Sequence, residues 1–270
     1  MNFYDLGLSE KTIQAIDEFG IKEPTTVQSD VIPSILQGKD VFTIAPGGCG
    51  KTTSYVLPLI DIISRKKPND NILIITPDSE QAVITSDRLA IFNKYHEINE
   101  ATVKNKDEEI SDEANVIIGS PDLLVDLVAE NKIDLSNVTI LVVDDINLIK
   151  KNKQLSNLEK ILDFLPADKQ NIVYTNRRSK ETQSILEKIL KAPEEIKIDK
   201  TKEQEAAMNA TSQPVSAPQS RSETAPQSPA PRFRAPQKDK QAVDLSRKYN
   251  SFQGKTPEFL LIQGNLAEGE

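Results

Sequence analysis

Residues 45–52 read Ala45-Pro46-Gly47-Gly48-Cys49-Gly50-Lys51-Thr52. They follow an apolar run, Val41-Phe42-Thr43-Ile44, and open into a run of helical apolar spacing that ends near Ser64. Strand, glycine turn and helix, in that order, are the setting of a phosphate-binding loop. Gly48 and Gly50 let backbone N–H groups curl around phosphate oxygens with no Cβ in the way. The start of the helix adds partial positive charge. In such a loop Lys51 reaches the β- and γ-phosphates of a nucleotide, and the Thr52 hydroxyl meets Mg²⁺. The bland alternative is a glycine turn with a solvated lysine. The joint occurrence of loop, lysine and hydroxyl in a strand-to-helix setting argues against it.

The same alternation extends on both sides. Strand-length apolar runs occur at Val41–Ile44, Ile72–Thr76, Val116–Gly119, Thr139–Val143 and Ile172–Thr175. Helical patterns lie between them, such as 155–165 with Leu155, Leu158, Ile161, Leu162 and Leu165 on one face, and 179–190 with Ile185, Ile189 and Leu190 inward. Strand–helix alternation predicts an α/β fold with a mostly parallel sheet covered on both faces. Upstream of the loop two helices are expected. Ser9 caps one, burying Ile13, Ile16 and Phe19; Thr26 caps the next, burying Ile32, Ile35 and Leu36.

The flanks of the loop narrow the reading. Upstream stands Gly20-Ile21-Lys22-Glu23-Pro24-Thr25-Thr26-Val27-Gln28, then Ile32-Pro33 and Gly38-Lys39-Asp40, with Phe3 17 residues before Gly20. Residues 3–200 resemble the N-terminal lobe of the DEAD-box RNA helicases. The resemblance implies a three-layer RecA-like sandwich of the P-loop NTPase kind, ATP and Mg²⁺ as ligands, and RNA or a ribonucleoprotein as partner. It also implies that Gln28 hydrogen-bonds the adenine edge while Phe3 stacks on the ring. A side-chain amide offers the donor and acceptor that adenine's edge requires.

The acidic motif of that family corresponds to Asp144-Asp145-Ile146-Asn147, after Leu141-Val142-Val143. Carboxylates at the carboxyl end of a parallel strand lie beside the phosphate site. The resemblance makes Asp144 the holder of hydrated Mg²⁺ and puts Asp145 where the family has a water-orienting glutamate. Asp145 is one methylene short, and an error of about 1 Å can cost about a hundredfold in rate. Asn147 replaces an aspartate that couples the nucleotide site to other motifs. The nucleotide set is therefore Lys51, Asp144 and Asp145 as catalytic candidates, Thr52 and Asp144 toward the metal, and Phe3, Gln28, Gly48 and Gly50 toward the nucleotide.

The RNA motifs depart further. Thr76-Pro77-Asp78-Ser79-Glu80-Gln81-Ala82 is similar to P-T-R-E-L-A, with Ser79 for the arginine. Ser120-Pro121-Asp122-Leu123-Leu124 is similar to T-P-G-R-L, with Asp122 and Leu123 for glycine and arginine. A guanidinium grips phosphate through a fixed, bidentate fork, which serine and leucine cannot supply. The family's double-glycine element is missing from 101–115, and Thr175-Asn176-Arg177 stands for S-A-T. Arg177-Arg178 is either a small phosphate-binding spot or a solvated strand-end pair. The family's ATPase site also uses arginines from a second lobe, worth about 10³–10⁵ in rate in related systems. The 70 residues after position 200 are too few for such a lobe. No unwinding, and weak or absent ATP turnover, are expected of this chain alone.

Composition sets the remaining bounds. Residues 1–200 carry 24 Lys/Arg against 33 Asp/Glu, net −9; 201–250 carry 8 against 5, net +3; the last 20 are net −2. A broad basic nucleic-acid face is excluded for the folded part. Residues 201–250 are rich in Pro, Ser, Gln and Ala and are expected to be disordered. Residues 251–270 carry a short apolar cluster around Phe259-Leu260-Leu261-Ile262, either a protein-partner motif or a frayed end. The single cysteine, Cys49, precludes an internal disulfide and suits a reducing, cytoplasmic setting. His96, the only histidine, has no zinc-site company and is expected on a solvated helix end. No run reaches transmembrane length.

Three functional classes remain: a weak RNA-dependent ATPase completed by another chain, a nucleotide-responsive binding module, or a scaffold with a relic nucleotide site.

Overall fold

The computed structural model describes residues 1–65, 70–111 and 113–198. The expected tail, 201–250, and the apolar segment, 251–270, lie outside the described residues. The elements run α1 (Glu10–Phe19), α2 (Thr26–Leu36), β1 (Val41–Ile44), α3 (Lys51–Ile63), β2 (Asn71–Ile75), α4 (Ser79–Phe92), β3 (Glu100–Thr102), β4 (Val116–Gly119), α5 (Pro121–Ala129), β5 (Val138–Val143), α6 (Ile146–Lys151), α7 (Leu155–Leu162), β6 (Gln170–Thr175), α8 (Lys180–Ile189) and β7 (Glu194–Lys197). The strands form one sheet in the order β3-β4-β2-β5-β6-β1-β7, and every pair is parallel.

Period-two geometry explains why the central strands are apolar throughout. Ile72 and Ile74 of β2, Ile140 and Val142 of β5, and Ile172 and Tyr174 of β6 pack on one face, beneath helices α1–α4. Leu73 and Ile75, Leu141 and Val143, and Val173 pack on the other, against α5–α8. Side chains alternate across a strand, so a sheet covered on both sides needs apolar residues at every position. The expected three-layer α/β sandwich is the fold observed.

Two strands escape the sequence pattern. β3 reads Glu-Ala-Thr and β7 reads Glu-Glu-Ile-Lys, and both lie at the sheet edges. Edge strands are short and charged because only one side is paired, so they resemble loops in sequence.

Three local expectations need correction. Thr25, not Thr26, caps α2; it closes a reciprocal capping box with Gln28. Phe19 is 39% exposed, not buried. It lies at the end of α1, edge-on to Phe92 with centroids 5.5 Å apart, and beneath the Arg88 guanidinium. His96 does stand at a helix end, closing the short 3-10 turn Asn93–Tyr95 after α4, but it is not solvated. It is half-buried, its Nε2 3.0 Å from the Thr12 hydroxyl, which donates to the buried Asp61 carboxylate. Asp61 also accepts from the Ser9 hydroxyl at 2.6 Å and meets Arg65 at 3.7 Å. A charge on the buried face of α3 is tolerable only with such company.

Candidate nucleotide site

The carboxyl ends of β1, β5 and β6 and the first turn of α3 converge on one spot. β1 ends at Ile44, and the Ala45 N–H joins the Thr175 carbonyl at 2.9 Å, so the loop leaves the sheet beside β6. Gly48 and Gly50 adopt φ of +82° and +92°, the left-handed region that β-carbons disfavour. Gly50 has a second reason. A Cβ there would lie 2.7 Å from Gln28 Nε2 and 3.1 Å from Thr25 Oγ1.

Gly50 is the N-cap of α3, and no side chain caps that helix. Its free N–H groups and dipole therefore face the loop's concavity. Lys51 follows, its Nζ 3.3 Å from the Ala45 carbonyl and 3.6 Å from Asp145 Oδ2. Thr52, half-buried, lies one residue on in the same turn.

Asp144 and Asp145 stand at the end of β5 but in different surroundings. Asp144 is 4% exposed, anchored by its N–H to the Ile75 carbonyl at 2.8 Å, and accepts a 3.0 Å hydrogen bond from the Tyr55 hydroxyl. Burial pushes its pKa up to about 6; Lys51 and the Tyr55 bond act the other way, and Asp145 adds to the rise. Asp145 caps α6 through the Leu148 N–H and has φ +53°. A non-glycine residue held there is strained, a feature common at functional positions.

Gln28 is 5% exposed. Its Oε1 accepts from the Thr25 N–H at 3.0 Å, and its Nε2 faces the Gly50 carbonyl at 3.5 Å. The Thr25 hydroxyl donates to the Cys49 carbonyl at 2.9 Å. The glutamine segment thus clamps the phosphate loop directly. Thr-x-x-Gln is a capping-box signature, so the Thr25–Gln28 pair was open to sequence reasoning, whereas its contacts to Cys49 and Gly50 come only with the fold. Phe3 is 2% exposed and lies within the core beneath α1–α4.

Asn147 keeps a link that its missing charge suggested was lost. Its Nδ2 is 2.8 Å from Thr175 Oγ1, 3.0 Å from Asn176 Oδ1 and 2.7 Å from the Arg177 carbonyl. Acidic loop and β6 end are joined through an amide instead of a carboxylate. Tyr55 was not expected at the site. Its sequence reads as an ordinary core aromatic, and only the fold brings its hydroxyl to Asp144.

The neighbouring strand ends differ. Asp78 caps α4, accepting from the Gln81 N–H at 2.8 Å, and Asp122 lies in the first turn of α5, accepting from the Ser120 hydroxyl at 2.6 Å. Leu123 packs partly against the core. Arg178 pairs with Glu195 and covers the Phe42 ring; Arg177 is exposed. Among the described residues no helix is long and apolar enough to cross a membrane.

Comparison with known proteins identifies relatives for the described part of the chain. The chain is 31% identical over 205 residues to the DEAD-box ATP-dependent RNA helicase RhpA of Helicobacter pylori, and 29% over 204 to the ATP-dependent RNA helicase CshA of Limosilactobacillus reuteri. Each match takes in 73% of this chain but 41% of the relative, so the chain spans about two-fifths of their length. Among solved structures, a DEAD box protein from Methanococcus jannaschii superposes with TM-score 0.67 at 24% identity, over 74% of this chain and 56% of that one. A hypothetical ATP-dependent RNA helicase from Sulfolobus tokodaii gives 0.64 at 26% identity, over 71% and 57%. The family model for DEAD/DEAH box helicases matches residues 25–185, which takes in the capping box, the phosphate loop, the paired aspartates and the end of β6, and the chain belongs to that family.

Proposed function

We propose that this chain binds Mg²⁺-ATP as a helicase lobe with weakened RNA contacts, and that by itself it turns ATP over slowly or not at all. The observation that supports this most is the uncapped N-terminus of α3. Its N–H groups have no side-chain partner, Lys51 stands beside them, and the buried Asp144 ends the next strand but one. Such a helix start favours a polyanion.

The residues fit a magnesium ion. Thr52 and Asp144 offer hard oxygen donors, and Mg²⁺ typically takes one or two protein oxygens while keeping waters and phosphate oxygens. When bound, the ion would neutralise charge on the phosphates. The chain's own part is to orient. The loop N–H groups and Lys51 hold the phosphates, Gln28 fixes the loop and favours adenine, and Asp145 faces the attacking water. Asp145 is a short base in a left-handed conformation, and among the described residues no arginine side chain is placed against it to stabilise developing charge, a deficit worth about 4–7 kcal/mol. Phe3 would have to leave the core to stack on adenine, so the adenine preference proposed here rests on Gln28.

On the RNA side, Asp78 and Asp122 occupy helix starts that would otherwise attract phosphate, which supports weak RNA binding. A nucleotide-responsive module for a ribonucleoprotein partner is favoured over a working ATPase by the retained Asn147 link, which can transmit occupancy without turnover.

Calorimetric titration with ATP and ADP, with and without Mg²⁺ and RNA, tests the binding. Tight, Mg²⁺-dependent binding is expected; no heat and no thermal shift at millimolar nucleotide would refute it, because any native-state ligand stabilises by mass action. Single-turnover ATPase measurement tests the rest. A rate of about 1 per second or more, typical of working enzymes, contradicts the slow-site reading. Asp145→Glu alone should raise the rate only a few-fold.

A further inference from the structure

Behind Asp144 lies a line of buried hydroxyls that the phosphate chemistry does not use. Tyr55 is on the second turn of α3 and is fully enclosed. Its hydroxyl lies 3.0 Å from Asp144 Oδ2 and 3.3 Å from the Thr85 hydroxyl on α4. A phenol has one proton. With that proton on the carboxylate, Tyr55 accepts from Thr85, so the donors run Thr85 to Tyr55 to Asp144. Chains of this kind polarise one another in a dry interior. Packing holds the line in place: the Tyr55 ring lies 5.4 Å from that of Tyr174, whose hydroxyl is 2.8 Å from Ser54 Oγ. Ser54 in turn donates to the Lys51 carbonyl at 2.6 Å. The phosphate lysine and the carboxylate are thus braced by adjacent residues of one helix.

We propose that Tyr55 is a positioning residue for Asp144, holding one carboxylate oxygen from the core side so that the other is presented to the hydrated magnesium ion, with Thr85 reinforcing it. The inference rests on the reading of Asp144 as the magnesium-facing group. A carboxylate rotor at a strand end has several orientations. A single strong donor to Oδ2 selects one of them before the ion arrives, and preorganisation of this kind is how outer partners tune a site.

The test is the Mg²⁺ dependence of ATP binding by the full chain, read calorimetrically in a magnesium titration and in EDTA. Tyr55→Phe keeps ring and volume and removes the hydroxyl. It should raise the Mg²⁺ midpoint by about tenfold, the scale of a hydrogen bond to a charged group, and leave EDTA binding within about twofold. Thr85→Val should shift the midpoint the same way by a smaller factor. In an Asp144→Asn background, Tyr55→Phe should have no further effect. If Tyr55→Phe weakens binding equally with and without Mg²⁺, or acts undiminished in the Asp144→Asn background, its role is packing and the inference falls. If Asp144→Asn abolishes the Mg²⁺ dependence while Tyr55→Phe leaves it unchanged, the inference alone falls. If the unmodified chain binds ATP with no Mg²⁺ dependence and Asp144→Asn changes nothing, the reading of Asp144 falls, and this inference with it.

Discussion

Among the helices that begin at the carboxyl ends of the parallel strands, α3, α4 and α5 begin differently. α3 starts at Gly50 with no side chain over its first N–H groups. α4 starts under the Asp78 carboxylate, and α5 carries Asp122 in its first turn. The dipole and free amides of a helix start attract an anion in all three cases. At α3 the place is left open; at α4 the Asp78 carboxylate fills it; at α5, which has no side-chain cap hydrogen bond either, Asp122 adds negative charge to the first turn. On the proposed reading the site is asymmetric in its backbone chemistry, open on the nucleotide side and less attractive to phosphate on the RNA side.

That contrast can be broken most sharply at Lys51. Lys51→Ala should weaken Mg²⁺-ATP binding by about a hundredfold or more, since a charge-assisted contact to a bound polyanion is lost. Calorimetry reads it directly, and unchanged affinity would mean that α3's open start is not where ATP sits.

Next in size is the burden of keeping a carboxylate ready without its ion. Burial raises the Asp144 pKa from 3.8 to about 6. The folded state therefore favours the protonated acid. This contribution to stability is fully present below pH 3.8 and is lost as pH rises through about 6. At pH 7 the ionised group costs the metal-free protein up to about 3 kcal/mol. Asp144→Asn should raise the melting temperature in EDTA at pH 7, with a smaller gain at pH 4. A destabilised Asp144→Asn at pH 7 would show that the charged form is favoured by its surroundings.

The RNA side can be made more attractive to phosphate. Ser79→Arg with Leu123→Arg should strengthen single-stranded RNA binding about tenfold at low salt and steepen its logarithmic salt dependence by about 1.4, the effect of two added phosphate contacts. Fluorescence anisotropy across a salt series checks both, with a melting curve to confirm that the partly buried Leu123 position accepts the change. No gain would place the weakness in Asp78 and Asp122 instead.

The smallest effect concerns base choice. Gln28→Ala should narrow the preference for ATP over GTP a few-fold, and it should also lower ATP affinity in general, because the same amide steadies Gly50. Equal loss for both nucleotides would leave Gln28 as a clamp only.

The fold was legible wherever burial was two-sided. The central strands were readable because β2, β5 and β6 must be apolar at every residue. β3 and β7 were not, since an edge strand with one exposed side carries glutamates and lysine like any loop. That Lys51, Thr52, Asp144 and Asp145 come together could be read from their places just after strands, while the roles proposed for them rest on the family resemblance. Tyr55 could not be read so, because its hydroxyl matters through a contact 89 residues away in sequence. Phe3 was named only through the family resemblance, and no pattern in its own segment showed that core packing encloses it. Asp61, Thr12 and His96 form a partnership that no pattern in any one segment reveals.

The Lys51–Asp145 pair has one further consequence. The Lys51 ammonium rests 3.6 Å from the Asp145 carboxylate, the group proposed above to orient water. An arriving triphosphate must compete for that lysine. On the proposed reading, Asp145 is released only when the phosphates have taken its place. On that reading Asp145 stays masked until the phosphates arrive, and readiness for hydrolysis is conditional on occupancy. A lobe so arranged behaves as an interlock: the reagent itself uncovers the group that would act on it.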